Sequence, residues 1–187
     1  MPSSPGPQPR PSGAMLSTNP PITADSYLPA LWVPLGRLLR AGRRYTTLVA
    51  RLPADTWDAP SACPGWRRSD VLAHVASDTV AAVRPARAVL AGAPMHESRP
   101  DMAAPDLTQD VWNAREVERR RNFPLPALLA EFEAAIDDLL ALLVHFDATH
   151  LLQPFGYAPH ALGGVERLTA HLNAHANDIV NGPRMLG

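Results

Sequence analysis

The apolar residues of this chain recur with a helical period, and no segment of useful length alternates with the two-residue period of a strand. Prolines and glycines separate the periodic stretches. The pattern predicts four main helices over residues 27–52, 66–90, 126–146 and 164–180, with a short helix over 108–121. We therefore expect an all-α fold, a four-helix bundle whose long connection and short extra helix lie between the second and third main helices.

Prolines modify this prediction at particular places. Pro34 lies inside the first apolar stripe and predicts a kink or a later start, and Pro85 should kink or shorten the second helix. Residues 91–107 contain several breakers and predict a long linker, of the kind that is often functional. Thr108 is the expected N-cap of the short helix that follows.

Length and charge limit the class of protein. A chain of 187 residues with 46% hydrophobic residues fits one globular domain. Its net charge of -1 and its pI of about 6.6 do not indicate a nucleic-acid or anionic-membrane partner. All 17 basic residues are arginines, which excludes a lysine Schiff base.

The termini and the cysteine content predict a cytoplasmic protein. Residues 1–24 are rich in Pro and Ser and predict a disordered tail without a signal peptide, and residues 25–187 form the domain. Either Met1 or Met15 can be the true start. Cys63 is the single cysteine, which excludes an internal disulfide framework. No run of about 18 apolar residues exists, so no membrane span is expected.

The last predicted helix carries a metal-binding pattern. His171 and His175 lie four residues apart, so both imidazoles leave one face about one turn apart and can reach a common metal. Asp178 follows on the same face and can be a ligand, an acceptor that orients a histidine ring, or a surface charge. The pair alone is equally compatible with surface histidines or with hydrogen-bonded core histidines.

A third histidine strengthens the metal hypothesis. His74 shares one face of the second helix with Trp66 and Asp70, because the three repeat at a spacing of four. A histidine on an inward face needs a partner, since an unpaired buried polar group costs roughly 1–3 kcal/mol. A metal shared with His171 and His175 would supply that partner and would keep coordination positions open for water or substrate.

These residues resemble a known family. Residues 52–75 resemble the N-terminal domain of mycothiol-dependent maleylpyruvate isomerases, which belong to the DinB-like (YfiT-like) superfamily. The resemblance covers roughly residues 27–180. It rests on Trp57, Gly65-Trp66, Asp70 and His74, on Trp112-Asn113-Ala114-Arg115, and on the closing His171-x-x-x-His175-x-x-Asp178.

The sequence departs from the family pattern at three points. Arg67 stands where the family usually has a Thr or Ser cap, so the cap of the second helix is expected to be Gly65 or absent. His171 stands where the isomerases usually carry Glu. The chain ends at Gly187, so the resemblance does not reach the C-terminal domain of the longer isomerases. Maleylpyruvate is therefore not the expected substrate, and the substrate stays open.

The resemblance implies a divalent-metal site that binds mycothiol or another small thiol. Zn²⁺ is the favoured metal, with Ni²⁺ or Fe²⁺ as alternatives. The ligands would be His74, His171 and His175, with Asp70 and Asp178 supporting them. The implied activity is that of a thiol-dependent transferase or isomerase acting on a small electrophile.

The alternative is a non-catalytic metal-binding or small-molecule-binding bundle used in stress response or self-protection. Trp66, Asn113 and Arg115 are candidate pocket residues. Cys63 is interpreted as a small loop hydrophobe rather than as a thiol at the mouth of the site. A homodimer is possible, and the sequence does not fix the oligomeric state.

Overall fold

The computed structural model describes residues 24–97, 99 and 108–182, with side chains from residue 32 onward. These residues contain six α-helices and one short 3-10 turn. The all-α prediction is confirmed, because the described residues contain no strand and only isolated bridges. The predicted tail, apart from residue 24, and most of the predicted linker lie outside the described residues. The helices are α1 (Ala24–Arg51), α2 (Arg68–Leu90), α3 (Gln109–Arg120), α4 (Leu125–Leu143), α5 (Ala148–Leu151) and α6 (Ala161–Asn181), and the 3-10 turn is Ala54–Thr56.

The four long helices pack in pairs around one core. Helix α2 lies against α4, α1 lies against α6, and contacts of α1 with α4 and of α2 with α6 close the bundle, while α3 packs on α2. At the centre, the rings of Tyr45 and Phe132 lie 5.0 Å apart. Leu38, Leu72 and Leu172 are fully buried around them, and each such side chain contributes about 1.5–3 kcal/mol of hydrophobic stabilisation. The contact between α2 and α6 brings the histidine-bearing faces together.

The prolines do not end the helices in which they lie. Helix α1 begins at Ala24 and passes through Pro34, so the later start is wrong. Helix α2 passes through Pro85 and reaches Leu90, so the shortening is wrong as well. The alternative at each proline, a kink, stays a prediction. Both prolines are buried. Tertiary packing thus offsets the roughly 3 kcal/mol that an interior proline costs a helix.

Local capping explains other differences from the predicted boundaries. Helix α6 begins at Ala161, three residues earlier than predicted, because Nδ1 of His160 accepts a hydrogen bond from the Gly163 N–H at 2.9 Å. Helix α4 ends at Leu143, and the short helix α5, which the sequence analysis missed, is capped by Asp147.

The N-terminus of α2 uses an unusual cap. Arg67 occupies the N-cap position and its side chain makes no capping bond, so of the two expected alternatives the Gly65 cap is wrong and the absent side-chain cap is confirmed. Asp70 compensates, because its carboxylate accepts the Arg67 N–H at 2.9 Å and pairs with the Arg67 guanidinium at 2.9 Å. The same guanidinium reaches Asp58 at 3.0 Å. Asp70 therefore closes the start of the helix that carries His74.

The tight approach of α6 to the preceding loop yields a stability prediction. A Cβ at Gly164 would lie 2.5 Å from Cδ1 of the buried Phe155 ring, so Gly164→Ala should lower the free energy of unfolding by about 1–3 kcal/mol. In the matched control Gly36→Ala, the nearest atom is the mobile end of Arg40 at 3.4 Å. That control should be neutral or should stabilise the protein by up to about 1 kcal/mol. Denaturant unfolding of both variants measures the difference, and equal stabilities would contradict the packing described here.

Candidate metal centre

Three imidazoles meet where α2 crosses α6. The ring centroid of His74 lies 5.0 Å from those of His171 and His175, which are 4.4 Å from each other. One ring nitrogen from each residue falls within 4.8 Å of the others. We call these three residues the histidine triad. The structure thus brings together the three histidines that the sequence analysis grouped, although they come from helices almost a hundred residues apart, and their binding of a metal stays a prediction.

Burial keeps the triad neutral. It is the largest cause that lowers the pKa of His74 to about 3, followed by the neighbouring His171, His175 and Arg99. Burial, then His175 and Arg167, lower the pKa of His171 to about 3. Burial also lowers the pKa of His175, although the carboxylate of a nearby aspartate opposes it. At neutral pH each ring therefore retains a free lone pair, which is the form that a metal binds.

Two buried ring nitrogens of the triad make no hydrogen bond within the described part of the chain. Nδ1 of His74 is one, and Nε2 of His171 is the other, which lies 3.3 Å from Oδ2 of Asp78 but without hydrogen-bond geometry. A buried polar atom without a partner costs roughly 1–3 kcal/mol, which a metal ion would offset. The donor set and the unpartnered atoms together fit a divalent cation that prefers nitrogen ligands.

Asp178 orients one member of the triad. Its Oδ2 lies 3.0 Å from Nδ1 of His175, so this nitrogen carries the proton and Nε2 is left as the free acceptor. Hydrogen bonding of this kind fixes the tautomer and the ring angle of a metal-binding histidine. Of the three alternatives that the sequence allowed, the geometry favours the orienting acceptor, and Asp178 is not a free surface charge.

Asp78 is a site residue that the sequence analysis missed. Its Oδ2 lies 3.3 Å from Nε2 of His171 and 3.9 Å from Nε2 of His74. Burial raises the pKa of Asp78 to about 6, although Arg99 and Arg167 act to lower it. The signal was present, because Asp78 follows His74 by four residues on the same helical face.

A cavity of about 30 Å³ adjoins the triad. Its lining includes His171, Asp78, Arg99 and Tyr157. The Arg99 guanidinium lies 4.9 Å from the centre of the Tyr157 ring, and the Arg167 guanidinium lies 4.1 Å from it. These cation–π contacts hold two positive charges beside a carboxylate and a neutral imidazole.

The remaining predicted site residues divide into two groups. Trp66 adjoins the site, since its ring lies edge-on to His74 with centroids 5.0 Å apart. Asp70 bonds to Arg67 and contacts no imidazole among the described interactions. Asn113 accepts a hydrogen bond from Gln109, and Arg115 is exposed. Neither lines the cavity, because α3 turns a different face, that of Trp112, Glu116 and Val117, inward.

Cys63 is closer to the site than its interpretation as a loop hydrophobe implied. Its Sγ lies 3.3 Å from Oδ2 of Asp178 and 3.8 Å from Nδ1 of His175. Burial, followed by the hydrogen bond to Asp178, raises the pKa of the Cys63 thiol to about 11. The free thiol is protonated at neutral pH and is therefore a poor nucleophile.

A family model described as the mycothiol maleylpyruvate isomerase N-terminal domain matches residues 38–180, more than half of the chain. The chain belongs to this family. The resemblance read from the sequence is thereby confirmed, and the all-α bundle is consistent with the DinB-like superfamily. A comparison with curated proteins gives no match.

Two solved structures share the fold of this family member. One is the crystal structure of the mycothiol-dependent maleylpyruvate isomerase, which is 17% identical with a TM-score of 0.64 and aligns over 80% of this chain and 60% of that one. The other is a histidine-to-alanine mutant of the isomerase, which is 16% identical with a TM-score of 0.67. The alignment covers 82% of this chain and 62% of that one. The chain thus spans about 60% of the length of these structures. Among the described residues, no helix is long and apolar enough to cross a bilayer.

The depressed pKa values predict acid sensitivity of the metal-free protein. Between pH 6.5 and about 3 the unfolded chain protonates His74 and His171 whereas the folded chain does not, so stability falls as the pH falls. Each histidine contributes up to about 1.4 kcal/mol per pH unit in this window. We expect His171→Asn to flatten the pH dependence of the free energy of unfolding, measured with urea.

The control is His145→Asn, because His145 is exposed and contacts none of the triad. Asp78 works in the opposite direction, since its raised pKa favours the folded state at acid pH. Because Asp78 is present in every variant, the test is the difference in the pH dependence of the free energy of unfolding between His171→Asn and His145→Asn. Identical slopes for the wild type and His171→Asn would show that His171 is not buried in its neutral form.

Proposed function

We propose that the chain binds a divalent cation through His74, His171 and His175 and uses it to present a low-molecular-weight thiol to a small electrophile. The observation that carries this proposal is the triad itself: three neutral, largely buried imidazoles with nitrogens within 4.8 Å of one another, two of which have a buried ring nitrogen that makes no hydrogen bond among the described residues. The reaction class is a thiol-dependent transfer or isomerisation.

The donor set favours particular metals. Imidazole ligands suit Zn²⁺, Ni²⁺ and Fe²⁺, of which we favour Zn²⁺, and three protein ligands leave a position for a small molecule. A bound divalent cation would supply Lewis acidity that lowers the pKa of the incoming thiol. A neutral histidine at position 171 leaves the triad itself without charge, so the nearby negative charge comes from Asp78 and Asp178.

The protein groups around the triad have distinct tasks in this proposal. Asp178 holds His175 in one tautomer through the 3.0 Å contact to Nδ1. Oδ2 of Asp78 is placed to accept the proton that an incoming thiol gives up, because it lies against His171 at the wall of the cavity. Arg99 and Arg167 favour a substrate or thiol with an anionic group near Tyr157.

Membership of the family supports a low-molecular-weight thiol as the molecule that the site binds. The solved relatives are described as mycothiol-dependent maleylpyruvate isomerases, and the chain shares their N-terminal domain family.

The size of the cavity favours a second candidate, the non-catalytic metal-binding bundle. About 30 Å³ accommodates one or a few water molecules, so a larger substrate has to be admitted by movement of the surrounding side chains.

The metal site is tested by metal analysis of purified protein. We use a Cys63→Ser background, which removes the neighbouring thiol as a competing ligand. This chain should bind one equivalent of Zn²⁺, and adding His74→Ala or His175→Ala should abolish tight binding because the remaining pair of imidazoles is insufficient. Adding His145→Ala should change nothing. Stoichiometric Zn²⁺ in the His74→Ala chain would remove the assignment.

Catalysis is tested by following the electrophile and the thiol together. With mycothiol or bacillithiol, the Zn²⁺-loaded protein should convert a member of a panel of small electrophiles over many turnovers, and removal of the metal should stop the reaction. A transfer consumes the thiol in step with the electrophile, whereas an isomerisation regenerates it. Asp78→Asn should lower the rate about 100-fold or more, as expected for loss of a proton acceptor. Binding of one thiol or electrophile per chain without turnover would instead support the binding bundle.

A further inference from the structure

A second cluster of metal-binding atoms lies beside the histidine triad. It consists of Sγ of Cys63, Nδ1 of His175 and Oδ2 of Asp178, which we call the Cys63 cluster. The three distances are 3.3 Å from sulfur to oxygen, 3.8 Å from sulfur to nitrogen and 3.0 Å from nitrogen to oxygen. Ligands of a tetrahedral Zn²⁺ site, at metal distances of about 2.0–2.3 Å, lie about 3.3–3.7 Å apart. The cluster is thus already close to the required geometry.

The backbone brings Cys63 to this position. The N–H of Ala62 donates to the carbonyl of Asp178 at 3.0 Å, which joins the loop before α2 directly to the C-terminal part of α6. The Cys63 N–H donates to the hydroxyl of the buried Ser61 at 3.1 Å, and this hydroxyl donates to the carbonyl of Trp66 at 2.9 Å. Such fixed placement is what a metal ligand on a loop requires.

A buried tyrosine supplies an independent observation. The side chain of Tyr45 is 0% exposed, and its hydroxyl has no hydrogen-bond partner within the described part of the chain. Burial, followed by the charges of Cys63 and Asp178, raises the pKa of Tyr45 well above its ordinary value, so the hydroxyl lies within electrostatic reach of the cluster. Buried hydroxyls are nearly always paired, so an unpaired one in this part of the core agrees with a polar group or ion being bound nearby.

We propose that Cys63, His175 and Asp178 form a second metal-binding site, selective for a thiophilic divalent cation and adjacent to the triad. It depends on the proposed function only in that both sites use His175, and a cation fills it in place of the triad, because His175 binds here through Nδ1 and its ring proton then moves from Nδ1 to Nε2. Binding replaces the Sγ–H bond of Cys63 with a sulfur–metal bond, and the thiol proton goes to solvent. Oδ2 of Asp178 exchanges its hydrogen bond from His175 for the cation. The thiolate selects Zn²⁺ or Cd²⁺ over Mg²⁺ or Ca²⁺, which prefer oxygen ligands.

Cadmium titration separates the two sites, because a thiolate–cadmium bond gives an ultraviolet charge-transfer absorption that imidazole ligands do not give. In His74→Ala, which disables the triad, we expect this absorption to rise to saturation at one equivalent of Cd²⁺ per chain. His171→Asn should give the same result and guards against misfolding of the first variant. Cys63→Ser should abolish the absorption while one equivalent still binds at the triad.

A conservative variant tests the third ligand. Asp178→Asn keeps the volume of the side chain but weakens its binding to a cation, so the Cd²⁺ affinity of the His74→Ala chain should fall about ten- to a hundredfold. Helical circular dichroism confirms that each variant is folded. Absence of the thiolate absorption in the folded wild type and in both histidine variants, with Cys63 equally open to alkylation with and without Cd²⁺, would overturn the second site.

The two proposals fail separately. If Cys63→Ser binds no cation while His74→Ala retains the thiolate absorption, then the triad is not a metal site and the Cys63 site stands. If Cys63→Ser binds one equivalent and no variant shows the absorption, then the proposed function stands and the second site is excluded.

Discussion

The burial of three uncharged imidazoles at the contact between α2 and α6 is the constraint on which the rest of the structure depends. Burial lowers the pKa values of His74 and His171 to about 3, so at neutral pH both rings are uncharged and each keeps a nitrogen lone pair. Two ring nitrogens are left without a hydrogen bond in the described region, a cost that a purely structural core would not retain. The start of α2, the loop before it and the C-terminal part of α6 hold these rings in place.

Both ends of this contact are secured by polar interactions that a sequence pattern does not reveal. Asp70 closes the start of α2 through Arg67, one turn before His74. The loop before α2 is tied to α6 through the backbone of Ala62 and Asp178. Asp178 therefore acts twice, since its carbonyl fixes the loop while its carboxylate orients His175 and accepts from Cys63. A disturbance at this residue should affect the loop and the triad together.

The family resemblance and the geometry agree on the location of the site but differ in its charge. Where the resemblance places a glutamate in the isomerases, this chain has His171, and the nearest carboxylates are those of Asp78 and Asp178, which lie beside the triad. A metal held by three neutral ligands keeps more of its positive charge than one with a carboxylate ligand, and its ability to polarise a thiol is correspondingly greater. Arg99 and Arg167 add positive charge at the Tyr157 ring, which in the proposed function favours an anionic partner.

The sequence by itself determined the helices and the faces on which the histidines lie, because a spacing of four residues fixes a shared helical face whatever the helix packs against. It therefore gave His171 with His175 and placed His74 on an inward face of α2. Only the tertiary structure decided which other groups reach the site. Asp78 shares the face of His74, but only the packing of α2 on α6 places it against His171. Asp70 instead bonds to Arg67, and the inward face of α3 keeps Asn113 and Arg115 away from the cavity. A backbone hydrogen bond between the loop and α6 places Cys63 beside the site. Contacts between separate elements depend on packing angles and loop geometry, which short-range periodicity does not encode.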